Sequence, residues 1–310
     1  MRIVVTGGTG MVGSGFETVL SDHEFILIGS DDYDLTSQHE ANMMLMDNEP
    51  DAIIHLAARV GGIKGNTDFI ADFFSENIRI NTNVLDAASE WEVSKVVSLL
   101  STCVYPDVVS YPLTEDQIHH GEPHPSNFGY AYAKRMLDVQ SRALRQQYGR
   151  NFVCAVPNNL YGLHDNFDLE NGHVIPAIIR KIWEAKIGVS GPPTFWGSGK
   201  ALREFTFASD LAKILIHVLE NYDSPEPLNI GKTGELSIKS IVDHVCKLLE
   251  YSGEVNWDLE KPEGQMRKPS SNKSFLDLGW DNSRYTTIED GLAKTCEWFK
   301  KTYPRVRGVV

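Results

Sequence analysis

Two groups of residues in this sequence have the types and spacing that proton and hydride chemistry needs. The first is Ser101-Thr102-Cys103, which follows the apolar run Lys95–Leu100. Two hydroxyls and a thiol stand where a buried strand must end, and ligands collect at the strand ends of parallel sheets. A free cysteine is more often a small buried hydrophobe; position is what singles this one out. The second group is Tyr130-Ala-Tyr-Ala-Lys134. Tyr130 and Lys134 are four apart and share a helix face. A phenol titrates near pH 10, and an ammonium beside it stabilises the phenolate and lowers that value. Such a tyrosine can pass a proton to a carbonyl oxygen while a hydride attacks the carbon. Tyr132, two residues from Lys134, faces elsewhere. Alone, Tyr-x-x-x-Lys is explained as well by an ordinary amphipathic helix. A strand-end serine 29 residues earlier makes the combination stricter.

A third feature supplies a place for a dinucleotide. TGGTGMVG, residues 6–13, follows Ile3–Val5 and carries Gly7, Gly10 and Gly13. One glycine makes the tight turn, the next lets backbone N–H groups approach a pyrophosphate, and the last lets helix and strand pack closely. A helix beginning inside the loop would offer free N–H donors and a positive dipole. The second strand ends in Gly29-Ser30-Asp31-Asp32. A carboxylate about 20 residues beyond the glycines ordinarily bonds a ribose 2′-hydroxyl, which favours NAD(H); Asp31 and Asp32 read equally well as a solvated turn. Ser30 could bond a 2′-phosphate without a charge, and Asp34-Leu35 could reach the adenine edge.

These groups need a frame. The runs at 3–5, 25–28, 52–56, 95–100 and 152–156 are short, β-branched and apolar on both faces, as parallel strands covered by helices are. The spacers fit crossover helices, of which 69–90 and 129–148 are the clearest. This alternation predicts an α/β fold, a Rossmann-type doubly wound parallel sheet. After Pro157 the pattern loosens. A helix is predicted over 174–186, another from an N-cap at Ser209-Asp210, a strand at 227–231, a helix capped by Ser237, and a last helix over 287–301. Residues 1–160 with about 207–232 are expected to form a nucleotide-binding domain. Residues 161–206 with 233–310 are expected to form a smaller mixed α/β substrate domain.

Composition narrows the functions. The net charge of −13, from 42 acids and 29 bases, makes a poor general binder of nucleic acid or anionic membrane. It leaves room for one small anion held by local bases. No run of 18 apolar residues suggests a membrane span, and MRIVVTGG reads as a first strand rather than a signal peptide. Cys103, Cys154, Cys246 and Cys296 are scattered without metal spacing, so neither a metal site nor disulfides are expected, and a reducing cytoplasm is the natural setting.

Together the glycine loop, AARVGGIKGN (57–66), STCVYP (101–106), NFGYAYAK (127–134), NNLYGLHDNF (158–167), GHVIPA (172–177) and WGSGKALREF (196–205) resemble the extended short-chain dehydrogenase/reductase family. The resemblance runs more weakly through KPEGQMRK (261–268) and covers nearly the whole chain. It is strongest to the members that invert C3 and C5 of GDP-4-keto-6-deoxy-D-mannose and then reduce C4 with NADPH. The resemblance implies Cys103 as base, His173 as acid, and Ser101, Tyr130 and Lys134 as enolate stabilisers that then support reduction. For the cofactor it implies Gly7, Gly10, Met11, Val12, Gly13, Ser30, Asp34, Leu35, Leu56, Ala57, Tyr130, Lys134, Pro157 and His173. For the GDP-sugar it implies Asn158, Lys181, Trp196, Arg203 and Lys268, with Asn77 supporting the active-site backbone. It implies NADP(H) where the second strand end alone favours NAD(H), and a homodimer through the helices at 69–90 and 129–148. The alternatives are a related nucleotide-sugar 4-epimerase or dehydratase, or a non-catalytic Rossmann sensor. Dehydratases of this kind carry Asp-Glu where Thr102-Cys103 stands, and a sensor would be expected to break the Tyr-x-x-x-Lys pair.

Overall fold

The computed structural model describes residues 1–261 and 265–309; Pro262-Glu263-Gly264 of the KPEGQMRK motif lie outside the described residues. In chain order the first half holds β1 (Arg2–Thr6), β2 (Glu24–Ile28), α1 (Gln38–Asn48), β3 (Ala52–His55), α2 (Ile63–Asp68), α3 (Ile70–Glu90), β4 (Lys95–Leu99), α4 (Phe128–Tyr148) and β5 (Phe152–Pro157). Then follow β6 (Asn159–Tyr161), α5 (Val174–Lys186), β7 (Thr194–Trp196), β8 (Leu202–Arg203), β9 (Phe205–Phe207), α6 (Ala208–Asn221) and β10 (Leu228–Ile230). The chain closes with β11 (Leu236–Ser237), α7 (Ile238–Leu248), β12 (Asn256–Asp258), α8 (Lys273–Leu276) and α9 (Ile288–Thr302).

Six strands form one parallel sheet in the order β10-β5-β4-β3-β1-β2. Alternate residues feed opposite faces. Ile3, Val5, Ile54 and Val97 meet α6 through Leu211, Ala212 and Leu215. Val4, Ile53 and Val96 meet α1 and α3 through Met44, Leu45 and Leu85. Burial on both faces is why these strands read as unbroken apolar runs. The doubly wound sheet expected from the sequence is present.

The chain between β1 and β2 differs from expectation. Instead of a full helix it makes a 3₁₀ turn, Gly13–Glu17. Two of its five residues are glycines, poor helix formers, and it lies hard against α6: a Cβ on Gly15 would come within 3.1 Å of Ser209 Cα. Nor does Ser209 cap α6, which starts at Ala208 with no side-chain cap. Asp210 is instead buried and accepts the Thr286 N–H at 2.6 Å. Ser237 and Thr287 do cap their helices, accepting from Ser240 N–H and Asp290 N–H.

A second core gathers α5, α7 and α9 around Phe167, Ile179, Phe205, Phe207 and Phe299. Phe275, Trp280 and Tyr285, beyond residue 233, pack not there but on the sheet core. Glu204, 3% exposed, joins later segments: its carboxylate accepts from Ser270 N–H (3.0 Å), Ser270 hydroxyl (2.7 Å) and Gly234 N–H (3.2 Å). That anchor holds the strand-like stretch carrying Lys268 beside β8.

Candidate active site

The parallel register brings the C-terminal ends of β1, β3, β4 and β5 to one edge: Thr6 lies beside His55, His55 beside Ser98, and Ser98 beside Cys154. The crevice opens between β1 and β3, where the strand order reverses, which is the ligand position of open α/β sheets. Gly7 turns here with φ +70°, and a Cβ on it would sit 2.9 Å from Ala57 N. A Cβ on Gly13 would meet Gly8 O at 2.3 Å. The N–H groups of Met11 and Val12 find no backbone partner among the described residues, while the neighbouring turn bonds Gly10 to Gly7 and Ser14 to Gly10. A glycine-rich turn whose Met11 and Val12 N–H groups have no backbone partner among the described residues fits a dinucleotide pyrophosphate. Leu56 and Ala57 continue β3 at its rim.

At the second strand end the carboxylates are largely committed. Asp32 accepts Gly29 N–H at 2.7 Å, closing the turn. Asp34 accepts both the N–H and the hydroxyl of Thr36, and these bonds hold its carboxyl below the ordinary range. Leu35 is buried, and Ser30 is exposed. The solvated-turn reading of Asp32 is the one the geometry follows.

Ser101 caps a 3₁₀ turn, Thr102–Val104, its hydroxyl accepting Cys103 N–H at 3.4 Å. α4 clamps that turn: Arg135 Nε donates to Val104 O at 2.6 Å and Lys134 Nζ donates to Leu99 O at 2.8 Å. The turn therefore places Cys103, 8% exposed, against the face of α4 that carries Tyr130. Burial pushes the Cys103 thiol up; the Ser101 hydroxyl and the ammoniums of Lys268 and Lys134 oppose it. Lys134 is itself brought down to about 8 by burial. Its Nζ lies 6.0 Å from the Tyr130 ring centre. The expected lowering of Tyr130 by Lys134 is absent: burial, then Cys103, raise the phenol above its ordinary value. The lysine faces the backbone of β4, and desolvation dominates at the phenol.

Lys268 and Arg203 arrive from the second half of the chain. Both are half-buried, and burial lowers both; beyond burial, Lys268 feels Cys103, Arg203 and Asp107, and Arg203 feels Tyr111 and Glu235. Lys181 donates to Thr194 O at 2.8 Å beside the Phe195 ring. Trp196, two residues on, exposes half its surface under the Lys261 ammonium, 5.9 Å from the ring centre. Asn158 follows directly after β5. Its amide accepts from the Thr206 hydroxyl and donates to Lys232 O, both at 2.7 Å, so it ties the end of β5 to β9. Pro157 is the last residue of β5, buried in the sheet. Asn77 accepts Arg59 N–H and donates to Arg59 O, both at 3.0 Å, holding the loop after β3 as expected.

His173 is the N-cap residue of α5, with its ring uninvolved in capping. Its side chain is 48% exposed, and Nδ1 stands 3.7 Å from Asp165 Oδ1. Asp165 raises the imidazole above its ordinary value, against burial and the Arg307 charge. The loop is tied to the rest of the site through Asn171, whose carbonyl accepts Gly62 N–H at 2.7 Å. Gly61 packs on Phe73, and Phe73 meets Tyr130 edge-on at 6.5 Å. Sequence reasoning missed Asp165, although it lies inside NNLYGLHDNF.

The sequence profile of the NAD dependent epimerase/dehydratase family matches residues 3–231. The chain belongs to this family. Within the NAD dependent epimerase/dehydratase proteins it is 41% identical to a GDP-L-fucose synthase of Dictyostelium discoideum, over 98% of this chain and 97% of that one. It is 39% identical to a GDP-L-fucose synthase of Sinorhizobium fredii, over 96% and 95%. The crystal structure of a GDP-L-fucose synthetase from Naegleria fowleri, bound to NADP, superposes with a TM-score of 0.91 at 35% identity, covering 99% of this chain and 96% of that one. Among the described residues no helix is long and apolar enough to cross a membrane.

Proposed function

We propose that this chain converts GDP-4-keto-6-deoxy-D-mannose to GDP-L-fucose, inverting C3 and C5 and reducing C4 with NADPH. The observation that carries the reading is Cys103: a thiol, with Lys268 and Lys134 acting on it, stands beside Ser101 and Tyr130 at the strand end. A dehydratase would need carboxylates there to eliminate water. Cys103, as thiolate, removes the protons at C3 and at C5, one in each epimerisation. The enolate oxygen so formed is the place for hydrogen bonds from Tyr130 and Ser101. His173 returns a proton to the opposite face of each carbon, and this pair of exchanges is what inverts the centre. Tyr130 then protonates O4 as the ketone is reduced. When bound, NADPH supplies the hydride that C4 receives. Gly7, Gly10, Met11, Val12 and Gly13 would hold its pyrophosphate, with Leu56, Ala57 and Pro157 at the strand ends around it. Lys134 is the cation beside the reducing tyrosine.

Arg203, Lys181 and Lys268 supply the charge an acidic protein must concentrate on a nucleoside diphosphate, Arg203 with a fork suited to two phosphate oxygens. Trp196 offers a flat face to sugar or base. A nucleotide domain, 1–160 with about 207–232, and a substrate domain, 161–206 with 233–310, would enclose the GDP-sugar between them, with Phe275, Trp280 and Tyr285 returning to the nucleotide domain's core. Exposed Phe74 on α3 and Phe128, Met136 and Val139 on α4 form an apolar stripe suited to a second copy, giving a homodimer. The thiol of Cys103 has to stay reduced, which supports a cytoplasmic setting.

The test is turnover of GDP-4-keto-6-deoxy-D-mannose with NADPH, following absorbance loss and deuterium uptake from D₂O at C3 and C5. Wild type is expected to oxidise NADPH and to label both carbons. Cys103→Ser is expected to lose labelling by about 10²–10⁴-fold, the contribution of a positioned base. No NADPH oxidation by wild type overturns the reading; full labelling by Cys103→Ser overturns the role of the thiol.

A further inference from the structure

We propose that Asp165 is a positioning residue for His173: its buried carboxylate faces Nδ1, keeps a proton there, and so leaves Nε2–H as the donor. The inference rests on His173 being the acid of the reaction proposed above. The geometry comes from three observations.

First, Asp165 is 4% exposed, and its Oδ2 has no hydrogen-bond partner among the described residues. Its Oδ1 accepts Asn166 N–H at 2.7 Å, which fixes the carboxylate in place. A buried carboxylate without a counter-charge is costly. Among the described residues no lysine or arginine lies within 4 Å of it, and His173 at 3.7 Å is its potential cation. That separation is an ion-pair distance, longer than a hydrogen bond.

Second, the ring is available. His173 begins α5 without capping it, so neither ring nitrogen is taken by the helix end. The half-exposed face leaves Nε2 open while Nδ1 faces the buried acid.

Third, the support is rigid. Asp168 accepts Glu170 N–H at 2.9 Å and Asn171 N–H at 2.6 Å, Gly172 N–H bonds Asp168 O, and Phe167 N–H bonds Arg307 O, both at 2.9 Å. Seven residues separating a carboxylate and an imidazole are thereby held as one unit. The charged groups acting on the ring are Asp165 from the loop and Arg307 from the C-terminal segment, with opposite sign. An acid that must return protons has to be charged at working pH, and Asp165 favours that state.

The experiment combines kinetics with ¹⁵N NMR of the imidazole in the full-length enzyme. Asp165→Asn is expected to lower kcat at least about tenfold, a fraction of the 10²–10⁴-fold that an acid contributes, with KM near wild type. Its alkaline limb of kcat moves to lower pH, because a less basic imidazole loses its proton sooner. Asp165→Glu is expected to restore most of the rate and the limb. In wild type, the His173 ring is expected to show a proton on Nδ1 at neutral pH and to titrate higher than in Asp165→Asn. An unchanged pH profile in Asp165→Asn, or a wild-type ring lacking the Nδ1 proton at neutral pH, overturns the inference. The wild-type spectrum decides even if the variant does not fold. His173→Asn separates the two readings: if it turns over like wild type, the acid assignment fails, while the titration still reports on the Asp165–His173 pair.

Discussion

Cys103 is subject to opposing influences. Burial disfavours its thiolate, whereas Lys268, Lys134 and the Ser101 hydroxyl favour it, and burial is the largest of these. A base must be ionised to act, so deuterium uptake at C3 and C5 is expected to rise with pH as the thiol titrates. Lys268→Met removes the strongest cationic support while keeping the side chain's length. Its rising limb should move to higher pH than in wild type, and each unit of movement costs about tenfold in thiolate at a fixed neutral pH. A limb that stays in place would show that Lys268 serves substrate binding alone, visible as a changed KM. This residue scale was the most legible in the sequence where partners are local. Ser101 and Cys103 follow from a strand ending, and Tyr130 with Lys134 from helix pitch. Lys268 came only through resemblance, because nothing local in KPEGQMRK announces a partner 165 residues earlier. The bonds of the Asn158 amide to Thr206 and Lys232 join long-range partners that no spacing encodes. Asp165 escaped for the same reason: its partner is fixed by loop tertiary structure, not by period.

Elements meet beneath the cofactor crevice in a chain of hydrogen bonds centred on His55. Asn81 Oδ1 can only accept, so His55 Nε2 donates to it at 3.1 Å, and Nδ1 therefore accepts from the Thr6 hydroxyl at 2.8 Å. Thr6 accepts Ala57 N–H at 3.3 Å, and Asn81 donates to Ala133 O at 3.3 Å. Strands β1 and β3 are thus linked through α3 to α4, under the glycine loop and the Tyr130 face. The arrangement needs a neutral ring. Burial first, then repulsion from Lys134, bring His55 down to about 3 from an ordinary 6.5. Between those values the unfolded chain binds a proton that the folded one does not, so this group's contribution is intact above pH 6.5 and is lost as pH falls toward 3. At about 1.4 kcal/mol per unit the loss approaches roughly 5 kcal/mol. His55→Gln, which keeps one donor and one acceptor, is expected to flatten the fall in Tm between pH 6 and 4 relative to wild type. Equal slopes would place the acid sensitivity elsewhere. Periodicity showed β1, β3, α3 and α4 because each buries an apolar face. It misjudged the stretch after β1, where close approach to α6 at Gly15 replaces a helix by one tight turn.

At the scale of the molecule, two cores share one chain that crosses between them. Glu204 pins the segment of Ser270 to the junction of β8 and β9, and Phe275, Trp280 and Tyr285 return to the sheet, so the two cores are joined by segments distant in sequence. Among the described residues, one large helical face over the sheet packs against no other element. α3 and α4 lie side by side, covering the sheet with Leu85 and Leu137 on their inner sides. On their outer sides Phe74, Phe128, Met136 and Val139 remain exposed. The α4 residues recur at intervals of eight and three, one stripe along the helix. An apolar stripe on adjacent helices, rimmed by polar residues, is what a two-fold packing of identical surfaces requires. Two copies meeting there would form a four-helix interface, and each active site would be complete within its own chain. Met136→Glu with Val139→Glu puts two carboxylates on the stripe without touching Tyr130, Lys134 or the sheet. Sedimentation is expected to give twice the 34.7 kDa of one chain for wild type and a single chain for the variant. The variant should keep its circular dichroism and most of its turnover, since the Cys103 cluster lies on the opposite side of α4. Wild type sedimenting as a monomer would end the dimer proposal. A variant that remains dimeric would move the interface to another face.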